Sequence, residues 1–325
     1  MRECIQTDCM PDVTGCMYGY QAGSLDKCPF YKPDQGQEQK AKSASQQETA
    51  QLIPWAGVSL GERDIADLAA SRSLSLFGVI GVQNSGKTTL LTLLYCLIRQ
   101  GHKIGKYRFA GSLTLPAWET LAYYMTWKTG NHITFPPHTP GSGGRVPGLL
   151  HLTLMNESGK VRDILITDAK GEWFKEWAVN VAAEAAQSPN WIHNHSMAFV
   201  LVADSEELAG TERGTARDDL KDLFNRLINN INERPIALAW TKSDIAIRPA
   251  MRENIMEHLQ IGNEAIPDFN VSAYKDKKDG KSEDYWQLQV LDLFDYLLTA
   301  TEKKGGQLAP IPSERPKDLF LSTRM

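Results

Sequence analysis

LSLFGVIGVQNSGKTTLLTLL, Leu74 to Leu94, decides how the rest of the chain reads. An apolar run rich in β-branched and aromatic residues meets a glycine-bounded loop, and a leucine-rich helical pattern begins directly after it, so the order is strand, loop, helix. The loop fits GxxxxGK[ST] from Gly81 to Thr88. Backbone N–H groups of such a loop wrap a polyphosphate, and the following helix N-terminus adds a favourable dipole. Lys87 then neutralises β- and γ-phosphate charge, and the Thr88 hydroxyl is a ligand for Mg²⁺. Gly81, Asn84, Ser85, Gly86 and Thr89 complete the expected cradle. The bland alternative is a strand-to-helix turn with a chance lysine; a fitting strand before and helix after argue against it.

Outward from this stretch the apolar patterning alternates between strand and helix. Leu149 to Met155 and Arg162 to Thr167 read as a hairpin joined by NESGK, followed by strand Met197 to Ala203, helix Ala216 to Asn232 and strand Pro235 to Trp240. A helix near Met251 to Leu259, strand Phe269 to Ser272 and helix Tyr285 to Thr301 complete the series. The expected fold is a three-layer α/β P-loop fold, a mostly parallel sheet with helices on both faces and one antiparallel edge strand. A short amphipathic helix around Glu62 to Ala70 should cover a sheet edge. Between the loop helix and the hairpin lies a long stretch, in which FAGSLTLPAWETLAYYMTW reads as a turn and a helix and FPPHTPGSGGRVPG as a turn-rich loop.

Three further strand ends carry polar groups, and ligands bind at that edge of such a sheet. In TDAKGEW, Asp168 can hold Mg²⁺ and the Gly171 N–H can approach a γ-phosphate. In LAWTKSD, the Asp244 carboxylate can accept N1–H and N2–H of guanine, donors that adenine lacks, while the Lys242 stem lies along the ring. In NVSAY, the small residues Ser272 and Ala273 let a backbone N–H approach guanine O6. Solvated loop residues are the alternative for each, since β–α loops are polar in any α/β domain.

The chain has 325 residues and a net charge of −4, which permits a full core and argues against a broad basic nucleic-acid face. There is no apolar run of roughly eighteen residues and no charged-then-apolar leader, so the expectation is a cytoplasmic protein with no transmembrane segment. Four of the five cysteines, Cys4, Cys9, Cys16 and Cys28, fall in the first 28 residues. Four clustered thiols in a reducing compartment suggest a tetrahedral Zn²⁺ site; an iron–sulfur cluster and unligated or disulfide-forming cysteines are alternatives, because the C-x4-C-x6-C-x11-C spacing lacks paired C-x2-C knuckles. The organisation then reads as a cysteine-rich cap over 1–31, a linker over 32–52, the P-loop domain over 53–302 and an extended tail over 303–325.

GVQNSGKT, DAKG, TKSD and SAY, in this order, resemble the phosphate-loop, DxxG, [NT]KxD and SA[KL] motifs of the translation-factor-related class of GTPases, over roughly Leu74 to Ala300. FAGSLTL, the HTP loop and the cysteine-rich leader are similar to the bacterial double-GTPase group, associated with multi-protein systems in biological conflict. The resemblance implies binding of GTP and GDP, Mg²⁺-dependent hydrolysis and a switch that orders the Gly130 to Pro147 loop. Protein partners would dock through that loop and the cap, with a nucleotide-dependent dimer and no direct nucleic-acid contact. Thr139 is the expected first-switch threonine on Mg²⁺, with Thr134 as runner-up and Arg145 as a candidate finger. Thr241 stands where Asn is usual, weakening a polar contact to base and loop. Glu172 stands where Ras-like enzymes place a water-orienting glutamine; its charge is unfavourable beside a γ-phosphate, which leaves Gln83 to position the attacking water. A nucleotide-holding scaffold with negligible turnover and a P-loop ATPase or kinase are the rival readings.

Overall fold

The computed structural model describes residues 59–61, 64–65, 68–69, 74–125, 148–273 and 284–303. The cysteine-rich segment, the linker, the tail, Tyr274 and the stretch holding Thr134, Thr139 and Arg145 lie outside the described residues.

Strand β1 (Leu74–Ile80) is buried along nearly its whole length, as an apolar strand with neighbours on both sides must be. It pairs in parallel with β4 (Val161–Asp168) on one side and β5 (Ala198–Asp204) on the other. Beyond β5 come β6 (Ile236–Thr241) and β9 (Asp268–Asn270), also parallel. β3 (Gly148–Asn156) runs against β4 as the expected hairpin, and β2 (Tyr107–Gly111) pairs antiparallel with β3. The seven strands therefore stand in the order β2-β3-β4-β1-β5-β6-β9. β3 is the one strand that opposes the others, and β2 adds an outermost strand that the patterning did not reveal. Two-residue strands β7 (Gln260–Ile261) and β8 (Glu264–Ala265) form a separate small hairpin.

Helices cover both faces. Helices α1 (Lys87–Arg99), α2 (Leu115–Tyr124) and α8 (Asp284–Lys303) pack on Phe77, Val79, Ile166, Val200 and Ala239. Against the opposite face, where Ile80, Leu201, Leu238 and Trp240 point, lie α3 (Gly171–Val179), α4 (Gln187–His195), α6 (Arg213–Ile228) and α7 (Pro249–His258). A five-residue helix, α5 (Ser205–Ala209), follows β5 directly. The lead-in before β1 has helical residues at 64–65 and 68–69. Leu60 pairs with Leu149 at the start of β3, and Leu68 packs with Leu76 and Leu165, so the segment covers part of a face as well as an edge. Among the described residues no helix is long and apolar enough to cross a membrane.

Strand order reverses at β1, with the earlier strands on one side and the later ones on the other, which opens a crevice at the carboxyl ends. The β1–β4 ladder runs to Phe77 opposite Ile166, and the next donor, the Val79 N–H, bonds instead to the Thr167 hydroxyl at 2.9 Å. Here a side chain takes over from the backbone ladder, next to the phosphate-type loop.

Candidate functional site

Five loops leave the carboxyl ends of β1, β4, β5, β6 and β9. They contribute residues to a cavity of about 580 Å³, a size common for small-molecule sites. Its lining includes Gln83 through Thr89 from the first loop and Gly171 and Glu172 from the second. Thr241, Lys242, Asp244, Ser272 and Ala273 line its other end. Fourteen residues picked out from separate motifs thus meet in one cavity.

The first loop is folded around its own carbonyls. Ser85 Oγ donates to the Val82 carbonyl at 2.8 Å. Asn84 and Gly86 take left-handed conformations, φ 60° and 84°, which turn the chain sharply enough to start α1 at Lys87. Lys87 is buried; its ammonium donates to the carbonyls of Gly81 at 3.0 Å and Val82 at 2.8 Å and lies 6.0 Å from the Phe174 ring centroid. Burial lowers its pKa to about 8, with the nearby carboxylates of Asp168 and Glu172 acting in the opposite direction.

Thr88 Oγ1 donates to Asp168, 3.0 Å from Oδ1 and 3.3 Å from Oδ2. A hydroxyl and a carboxylate in contact at the mouth of a phosphate loop are hard oxygen donors, and they fit Mg²⁺, an ion that takes one or two protein ligands and fills its shell with phosphate and water. Among the described residues no cluster of three His, Cys, Asp or Glu groups suited to a metal is found. Gly171 lies directly on the first loop: a Cβ placed there would stand 2.2 Å from the Gln83 nitrogen and 2.4 Å from its Cα. Those are backbone atoms that cannot swing aside, so only glycine fits. Glu172 follows in the first turn of α3, exposed.

At the opposite end Ser272 Oγ donates to Asp244 Oδ1 at 2.5 Å, and Gln287 of α8 donates to the Ala273 carbonyl at 3.0 Å. Thr241 is buried, and its hydroxyl faces the carbonyls of Ser85 at 2.7 Å and Ala203 at 3.1 Å. The contact to the phosphate-type loop that the Asn-to-Thr change was expected to weaken is made here by the hydroxyl. Two residues that the sequence reading passed over join this end. The Lys242 ammonium donates to Asp204 at 2.7 Å and to Glu206 at 2.8 Å. Burial works against that charge, and the two carboxylates outweigh it, holding the pKa above the usual lysine range. The available signal was Asp at a strand end before Ser-Glu-Glu, a helix N-cap pattern: Asp204 Oδ1 accepts the Glu206 N–H at 2.9 Å.

A family model described as Double-GTPase 2 matches residues 75–286, more than half of the chain. The chain belongs to the Double-GTPase 2 family. No curated protein matches it. The Double-GTPase 2 match begins inside β1 and ends in the first turn of α8, so all five site loops fall within it, while the four clustered cysteines fall before it. A second cavity of about 420 Å³ lies beyond Gln83, Gly171 and Glu172, bounded also by Leu208 of α5 and Leu220 and Leu223 of α6. The partition between the two cavities is therefore the contact of Gly171 with the first loop.

Proposed function

We propose that this Double-GTPase 2 member binds GTP with Mg²⁺ and hydrolyses it to GDP and phosphate, acting as a nucleotide-dependent switch in a multi-protein system. What supports this most is one cavity with Lys87 and Thr88 at one end and the carboxylate of Asp244 at the other. Asp244 accepts N1–H and N2–H of guanine, its orientation fixed by the Ser272 hydroxyl. The Ala273 N–H serves O6. Loop N–H groups of Gly81 through Thr89 and the Lys87 ammonium take the β- and γ-phosphates, Lys87 exchanging its carbonyl partners for phosphate oxygens. Thr88 and Asp168 would hold Mg²⁺, with Thr139 joining them in the GTP state; the ion, when bound, offsets charge on the polyphosphate.

In the reaction water attacks the γ-phosphorus, the bond to the β–γ bridging oxygen breaks, and GDP leaves with that electron pair. Gln83 positions the water, and Glu172 orients it or accepts its proton. The Gly171 N–H meets the γ-phosphate, so the nucleotide state is felt where Gly171 rests on Gln83. Partners dock through the 130–147 loop and the N-terminal cap in the cytoplasm, and guanine nucleotide drives dimerisation. The thiolates of Cys4, Cys9, Cys16 and Cys28 would hold Zn²⁺. A second reading, a nucleotide-holding scaffold with negligible turnover, is favoured by Glu172 alone, whose carboxylate lines the phosphate end.

Guanine selectivity is tested by displacing a labelled GDP. GTP should displace it and ATP should not, and Asp244→Asn should weaken GDP binding by about two orders of magnitude, as loss of a paired hydrogen-bonding site does. ATP competing at comparable concentration contradicts the proposal.

A further inference from the structure

Lys242 sits in an unusual conformation. Its φ is 53°, the left-handed region that a lysine occupies only where its surroundings over-determine it. On the backbone side, the Ile245 N–H donates to the Lys242 carbonyl at 2.9 Å and the Ser243 N–H to the Val271 carbonyl at 3.2 Å. The side-chain end is held from the neighbouring strand. β5 and β6 are in register with Asp204 opposite Thr241, so the residue after β6 sets out beside the residue that ends β5. Asp204 is nine-tenths buried or more, and its two oxygens have separate tasks: Oδ1 caps α5, and Oδ2 takes the Lys242 ammonium. Glu206, in the first turn of α5 and exposed on the cavity rim, takes a second ammonium proton.

We propose that Asp204 and Glu206 are positioning residues for the purine: by gripping the Lys242 ammonium from β5 and α5, they stretch its methylene stem into a fixed shelf for one face of the base. Lysine stems have high rotamer entropy, and a stem already ordered before the ligand arrives costs less to use. Contact through methylenes serves any purine alike. Asp244 chooses guanine, whereas the Asp204–Glu206 grip sets how tightly a purine is held.

The inference rests on the guanine-nucleotide reading and is separable from it by experiment. Dissociation constants for GDP, IDP and inorganic tripolyphosphate are measured for wild type, Glu206→Gln, Asp204→Asn, the double variant, Lys242→Ala and the double variant combined with Lys242→Ala. Glu206 is exposed and Asn caps helices about as well as Asp, so these variants fold. The expectation is that the double variant weakens GDP and IDP by the same factor, about tenfold for lost charge-assisted bonds. Tripolyphosphate binding stays as in wild type, and the two carboxylate changes cost nothing further once Lys242 is alanine. Wild-type GDP affinity in the double variant, or a loss that persists in the Lys242→Ala background, overturns the positioning role. Tripolyphosphate binding to wild type without GDP binding would overturn the guanine reading itself, and this role with it.

Discussion

In the proposed nucleotide complex, Gly171 and Lys87 are the residues on which the phosphate end turns. Gly171 touches the Gln83 backbone so closely that no Cβ can be placed there. Gly171→Ala should therefore push the start of α3 off the first loop and weaken a non-hydrolysable GTP analogue about tenfold more than GDP, since displacing packed backbone costs on the order of 1–3 kcal/mol. Equal affinities for the two ligands, measured by calorimetry, would show that Gly171 does not sense the third phosphate. Lys87, with a pKa lowered to about 8 by burial, holds its proton less tightly than in the unfolded chain, where a lysine titrates near about 10.4. Between those values the unfolded state carries the extra proton, so the nucleotide-free protein gains stability as pH rises through that window. Nucleotide affinity moves the other way, because phosphate needs the ammonium: it should fall above pH 8, with proton uptake on GDP binding near pH 8.5 in buffers of different ionisation heat. Binding with no proton uptake there would contradict this assignment. At this scale Lys87, Thr88, Asp168 and Asp244 were legible because each stands at a fixed place in a contiguous motif. Asp204 and Glu206 were not, because they matter only through a strand register that brings them to Lys242.

Strands and long helices were legible where apolar runs were long. β1, β5, β6, the β3–β4 hairpin, α7 and α8 lie close to where periodicity puts them, and α6 begins somewhat earlier; the strands, α6 and α8 each bury a row of apolar side chains, and α7 buries Ile255. The missed elements are short. α3, α4 and α5 have nine, nine and five residues, below the length at which a helix holds by itself, so packing of Phe174, Trp177 and Ile192 decides them. β2 has five residues alternating buried and exposed at an irregular edge, between turns. The Phe269 to Ser272 strand is displaced to Asp268–Asn270, leaving Ser272 in the loop where it meets Asp244. One element-level joint is the Thr241 hydroxyl, which ties the end of β6 to the first loop and to β5. Thr241→Val keeps the shape and strands the two carbonyls, so it should cost about 1–3 kcal/mol of stability in urea unfolding. An unchanged midpoint and slope would show the joint to be dispensable.

Over the whole molecule, the sheet sets five loops side by side, basic at the end of β1 and acidic at the ends of β5 and β6. That polarity suits a ligand with a polyphosphate at one end and hydrogen-bond donors at the other. Composition and net charge bounded the class and no more; the order of the strand-end motifs carried the rest, because a parallel sheet brings its carboxyl ends together whatever the sequence distance. Whether the assembly turns nucleotide over is decided by single-turnover phosphate release from GTP with Mg²⁺. Wild type should release phosphate, Gln83→Ala should bind GTP but release it at least about tenfold more slowly, and Lys87→Ala should release almost none. Equal release by wild type and Lys87→Ala at saturating GTP would contradict the account.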